Sequence, residues 1–218
     1  MANENLTEII CIVDRSGSMA SSINGTIEGF NEFLTEQQGV DGDVDFTYVQ
    51  FDTEIETVHD GVDIMKVSPL NRETFVPRGM TALYDAIGFT LSKAANSIDN
   101  TVEADRPSKT VVVIVTDGAE NSSQEFNQSQ ANDLISELTR EYDWQFVYLG
   151  ANQDSFGVGA NLGIAMAGTA NYVATDIGTQ NAYANISHSI TNYRNGTTNS
   201  VNIDKDDDGT VKDSSTNE

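Results

Sequence analysis

The stretch IICIVDRSGSMASSI, residues 9–23, decides how the chain is read. Residues 9–13 form an unbroken apolar run of strand length, the pattern of a strand buried on both faces. The run stops on Asp14. Ser16, Gly17 and Ser18 follow at once, and then a helical pattern in which Ile23, Ile27, Phe30 and Leu34 share one face. A carboxylate and two hydroxyls thus stand where a buried strand hands over to a helix. Read as plain structure, they make a turn with Ser18 or Ser21 as helix cap. Read as chemistry, they are a set of oxygen donors held close together.

Outward from that stretch, strands and helices alternate. DVDFTYVQFD (43–52) and EIETVHDG (54–61) read as a strand pair around a tight turn, followed by an irregular stretch with Pro69 and Pro77. A helix begins near Thr81, with Leu83, Ile87, Leu91, Ala94 and Ile98 in register. SKTVVVIVTDG (108–118) is the strongest strand, a continuous Val/Ile run. A helix over 127–141, a strand over 144–151, a short helix over 154–163, a strand over 169–174 and a helix over 176–194 complete the order. This pattern predicts a single α/β domain over residues 1–195, a doubly wound, mostly parallel six-stranded sheet of order 3-2-1-4-5-6 with helices on both faces. The third strand is expected antiparallel at the edge, because only a tight turn separates it from the second. From Gly196 the sequence turns polar and acidic, and residues 196–218 read as a tail without a core of its own.

Composition narrows the function classes. Thirty-four acids against eleven bases give a net charge of −23 and a pI near 4.1. Nucleic acid is excluded as a partner, since its binders need clustered Lys and Arg. Self-repulsion of this size is screened at molar salt, so the acid excess reads as that of a halophilic source, with an acidic mesophilic protein as the alternative. No apolar run is long enough to span a bilayer, so membrane insertion is not expected. MANENLTE has no basic segment, so a secretory signal is not expected and the cytoplasm is the expected compartment. The lone Cys11 allows no internal disulfide and reads as a buried small hydrophobe.

In a doubly wound sheet, ligands collect beyond the carboxyl ends of the strands, where the strand order reverses. In the order 3-2-1-4-5-6 the strands ending at Asp14 and Asp117 are neighbours at that point, so two carboxylates far apart in sequence meet in one crevice. Taken singly, Thr81 also reads as a helix cap and Asp117 as part of an Asp-Gly turn. Together, DRSGS (14–18), GMTALYDA (79–86) and TDGAEN (116–121) resemble the Asp-x-Ser-x-Ser motif, the threonine loop and the later aspartate loop of von Willebrand factor type A domains, in the family's order and over about residues 5–195. The resemblance implies a metal-ion-dependent adhesion site in which Ser16, Ser18 and Thr81 ligate a cation while Asp14 and Asp117 act mostly through water. Five oxygen donors with no His or Cys favour Mg²⁺, with Mn²⁺ or Ca²⁺ as alternatives, over zinc. The family implies a protein partner that offers an Asp or Glu carboxylate to the metal. Two settings are open, a cytoplasmic scaffold serving an ATPase and a component of a virus particle from a halophilic host. The oligomeric state is not legible.

Other motifs carry less. Asp204, Asp206 and Asp208 precede Gly209 like the start of a calcium loop, but Ser215 stands where the bidentate Glu belongs and Lys212 takes another ligand position. A solvated acidic segment is the expected reading. Gly157, Gly159 and Gly163 lack dinucleotide-fingerprint spacing and read as close-packing residues. His59 and His188 stand alone. Asp14 resembles the nucleophile of haloacid-dehalogenase-type phosphatases, yet Ser16 replaces their acid/base Asp, so no catalytic activity is expected.

Overall fold

The computed structural model describes residues 1–213. β1 (Asn3–Asp14) lies at the centre of a six-stranded sheet because its hydrophobic run pairs on both sides. On one side Ile9 faces Phe46 of β2 (Asp43–Phe51), and on the other it faces Val111 of β4 (Pro107–Thr116), both in parallel. β3 (Ile55–Asp63) pairs antiparallel with β2 at one edge, while β5 (Gln145–Gly150) and the three-residue β6 (Thr169–Asn171) continue in parallel beyond β4. The resulting order is β3-β2-β1-β4-β5-β6, as the alternation of elements predicts.

Side chains leave β1 alternately, and both sets are buried. Ile9, Cys11 and Val13 pack with Phe30 and Phe33 of α1 (Ile23–Gln38) and with Tyr183 and Ile186 of α5 (Asp176–Arg194). Ile10 and Ile12 pack with Leu83, Ile87 and Leu91 of α2 (Leu83–Asn100) and with Ile135 of α3 (Gln128–Tyr142). Each such side chain contributes roughly 1.5–3 kcal/mol of burial, so the central strand anchors the whole molecule. A short α4 (Ser155–Asn161) covers the β5–β6 end. α1 and α5 come close enough that a Cβ on Gly25 would lie 2.2 Å from the Asp176 carbonyl oxygen. None of the described helices is long and apolar enough to cross a membrane.

The segment after α5 corrects the expectation of a solvated tail. Val201, Ile203 and Val211, its only large apolar residues, are buried in the same cluster as β1 and α5. The Val211 amide donates to Asn171 O (2.8 Å) and the Ile203 amide to Ala167 O (2.9 Å), tying the segment to β6 and the turn before it. Residues 196–213 therefore extend the packed domain past residue 195. The DKDDDG stretch is a tight turn, closed by Gly209 N–H donating to Asp206 O (2.9 Å) with Gly209 at φ +83°. Lys205 donates to Met166 O (2.5 Å), in the turn before β6, and to Thr169 O (2.7 Å), at the start of β6. Ser215, the twelfth position of the supposed calcium loop, lies outside the described residues. Among those described, no group of three or more His, Cys, Asp or Glu is placed to hold a metal.

Candidate metal centre

At the carboxyl end of β1 the backbone turns directly beneath Asp14. Asp14 Oδ1 accepts the Ser16 amide (2.6 Å) and Oδ2 accepts the Thr116 hydroxyl (2.7 Å), so the last residue of β4 orients the last residue of β1. Ser16 and Ser18 hydroxyls stand 3.1 Å apart, and Ser18 Oγ donates to Asp117 Oδ1 (2.6 Å). One connected set thus runs Asp14, Ser16, Ser18, Asp117. Thr81 joins it from the loop before α2. A Cβ built on Gly118 would lie 3.4 Å from Thr81 Oγ1 and 3.5 Å from Ser18 Oγ, so the two hydroxyls border the same space. All five residues anticipated from the sequence come together.

The electrostatics are those of a site short of positive charge. Burial pushes the Asp14 carboxyl up to about 6, against the opposing hydrogen bonds from Thr116 and Ser16, and Asp117 adds to the rise. Asp117 is likewise raised by burial, with the Ser18 hydroxyl opposing. Asp117 Oδ2 is buried with no hydrogen-bond partner. An orphaned carboxylate oxygen beside a second buried carboxylate is costly unless a cation or its water satisfies it. Hard oxygen donors around such an atom fit a divalent cation. Asp14, Ser16, Thr81 and Asp117 form a buried floor, while Gly17 and Ser18 are exposed at the rim, so the cluster opens to solvent.

Residues outside the five proposed ligands hold this arrangement, among them Arg15, which the sequence places within the motif as a non-ligand. Arg15 points away from the cluster: Nε donates to Asp52 (2.8 Å), and Nη1 to Gln50 (3.2 Å) and to Glu56. Arg78 shares Asp52 at 2.9 Å. Burial would raise the Asp52 carboxyl, but hydrogen bonds from the Glu54 amide and both guanidiniums hold it below its ordinary value. Backbone bonds from Arg15 N–H to Phe51 O and from Arg78 N–H to Arg15 O lock the DRSGS turn to the β2–β3 hairpin and to the loop carrying Thr81. Asn121 Oδ1 accepts the Thr81 amide (2.9 Å), and Asp85 accepts three amides, from Gln124, Glu125 and Phe126. The threonine loop and the segment after Asp117 are thereby fastened together. Asp85 in the first turn of α2 is legible as a helix-dipole residue. Its three acceptor bonds depend on a loop 39 to 41 residues away and are not.

No family model matches the sequence, and no curated protein matches it. Solved structures do. Proximal thread matrix protein 1 from the mussel byssus, in a structure described as having a zinc-occupied MIDAS motif, is similar at TM-score 0.58 and 16% identity over 85% of this chain and 46% of that one. The ArnB paralog VWA2 from Sulfolobus acidocaldarius is similar at TM-score 0.54 and 16% identity, over 85% of this chain and 45% of that one. This chain therefore spans less than half the length of either. The vWF domain of the type V pili tip protein Mfa5 from Porphyromonas gingivalis is similar at TM-score 0.56 and 12% identity, over 93% of this chain and 98% of that one. The order of strands, the helices on both faces and these similarities together show that the chain has the von Willebrand factor type A fold.

Proposed function

We propose that the chain is a non-catalytic binding module that uses a divalent cation, held by Asp14, Ser16, Ser18, Thr81 and Asp117, to capture an acidic side chain of a protein partner. The observation that carries this reading is the orphaned, buried Asp117 Oδ2 inside a cluster made only of carboxylates and hydroxyls. The zinc-occupied site of the mussel byssus protein supports divalent-cation binding in this fold. A hard cation supplies an electrophilic position that accepts a carboxylate oxygen. Ser16, Ser18 and Thr81 would hold it through neutral hydroxyls. Asp14 and Asp117 would neutralise it, mostly through water, leaving it able to accept a further anionic ligand. Oxygen donors alone favour Mg²⁺, with Mn²⁺ and Ca²⁺ next. The exposed rim at Gly17 and Ser18 gives the partner access.

Thermal melting tests the site. Mg²⁺ at a hundredfold excess over its dissociation constant should stabilise the wild type by about 2.7 kcal/mol, because it binds the folded state alone. Asp14→Ala should abolish that shift while the apo protein stays folded, since removing one of two clustered carboxylates relieves repulsion. A full metal shift in Asp14→Ala would place the site elsewhere. Purification with bound partners, with and without EDTA, reads the second half of the proposal: an acid-bearing partner lost on chelation supports it, and one retained overturns it. Recovery of an ATPase marks the scaffold setting, and recovery of particle proteins marks the virion setting.

A further inference from the structure

α2 covers the middle of the sheet but stands off from the β2–β3 hairpin, leaving a cavity of about 500 Å³ along that groove, with Glu8 and Asp45 toward its end away from the proposed metal site. Glu8 on its wall is six residues before Asp14 on the same strand, about 20 Å away at the usual strand rise. The volume lies within the range of small-molecule sites. The sheet wall is acidic at Glu8, Asp45 and Asp60 and becomes apolar farther along at Val49 and Ile55, while Phe89 stands on the facing helix α2.

Three features of the lining point to a ligand. Glu8 and Asp45 are direct cross-strand partners in the β1–β2 register, an arrangement of like charges that disfavours the sheet unless something offsets it. Among the described residues no ion pair neutralises either one. The cavity's single lysine, Lys93, is committed to Asp60 at 2.8 Å. Thr90 is 6% exposed, lines the cavity, and its Oγ1 has no partner. Thr26, Thr35 and Thr139 bond back to the carbonyl four residues earlier, whereas Thr179, like Thr90, has a buried hydroxyl with no partner. Burial, and then the Asp45 charge, hold the Glu8 carboxyl up to about 7, the behaviour of a carboxylate short of a counter-charge.

We infer that this cavity binds a small organic cation, with a primary ammonium received by Glu8 and Asp45, one of its protons accepted by the Thr90 hydroxyl, and an apolar body running toward Val49 and Phe89. A metal ion would leave the apolar wall unused, and no group of three acids here is placed to ligate one. An anionic ligand would meet a surplus of carboxylates. The inference is independent of the proposed metal site.

Isothermal titration with 2-phenylethylamine tests it, in about 0.5 M NaCl so that diffuse attraction to the acidic surface is screened. Saturable one-to-one binding with a Kd of about 1 mM is expected, the strength an ammonium ligand of this size can reach. The neutral 2-phenylethanol and the anionic phenylacetate should bind about tenfold more weakly or not at all. The Glu8→Gln/Asp45→Asn pair should lower the amine affinity about tenfold, and Thr90→Val severalfold, while Asp14→Ala leaves it unchanged. Melting of each variant confirms folding, and Thr90→Val is a near-isosteric probe should the double variant unfold. Equal binding of the alcohol, undiminished affinity in the carboxamide and Thr90→Val variants, or no saturable heat up to about 50 mM amine would each overturn the inference.

Discussion

Arg15 shows how a residue inside a recognisable motif takes its role from elsewhere. Its side chain is buried against Asp52 and does not face the hydroxyl cluster one residue on either side. Breaking a buried pair by removing one partner leaves an uncompensated charge, so Arg15→Met should cost about 3 kcal/mol in urea unfolding. Arg78→Met should cost less, because that guanidinium is half exposed and its ion pair is weakened by water. The Mg²⁺-induced melting shift should survive in folded Arg15→Met, since none of the groups that would hold the metal is removed. Loss of that shift would make the Arg15–Asp52 pair part of the site and not of its support.

Among the elements, the pairing of α1 with α5 leaves little room. A Cβ on Gly25 would press into the backbone of Asp176, and one on Gly29 would come within 2.9 Å of the Tyr183 ring. Backbone cannot rotate away as a side chain can, so the helices must part. Gly25→Ala should cost about 3 kcal/mol in urea unfolding despite alanine's better helix propensity. Gly61→Ala, at φ +57° with nothing within 4 Å, should cost only about 1 kcal/mol of backbone strain. Equal effects would show that the α1–α5 interface yields freely. β1 and β4 were legible as elements because every residue of their apolar runs is buried, so their pattern needs no context. β6, expected over 169–174, ends at Asn171 because the following chain turns away to start α5.

Across the whole molecule, the segment after residue 195 is where local pattern and global packing part company. Val201, Ile203 and Val211 are too few and too widely spaced to announce an element, yet each is at most 6% exposed. Ile203→Ala should destabilise the domain by about 2–4 kcal/mol in urea unfolding, as a core truncation does. A solvated tail would show no change.

What the sequence determined by itself was the order of the sheet and the gathering of five oxygen-bearing side chains at its carboxyl ends. The strand runs declare burial on both faces, alternation with helices forces parallel crossovers, and DRSGS, Thr81 and Asp117 stand at the ends those crossovers bring together. The tertiary structure alone decided what steadies and surrounds that cluster. Thr116 on Asp14, Asp52 between two arginines and Asp85 across three distant amides are polar contacts between segments 26 to 102 residues apart. Such contacts have no local period to betray them, because each is selected by where the backbone passes and not by what precedes it in the chain. The same holds for Glu8 and Asp45, which become a pair only when β1 and β2 come into register.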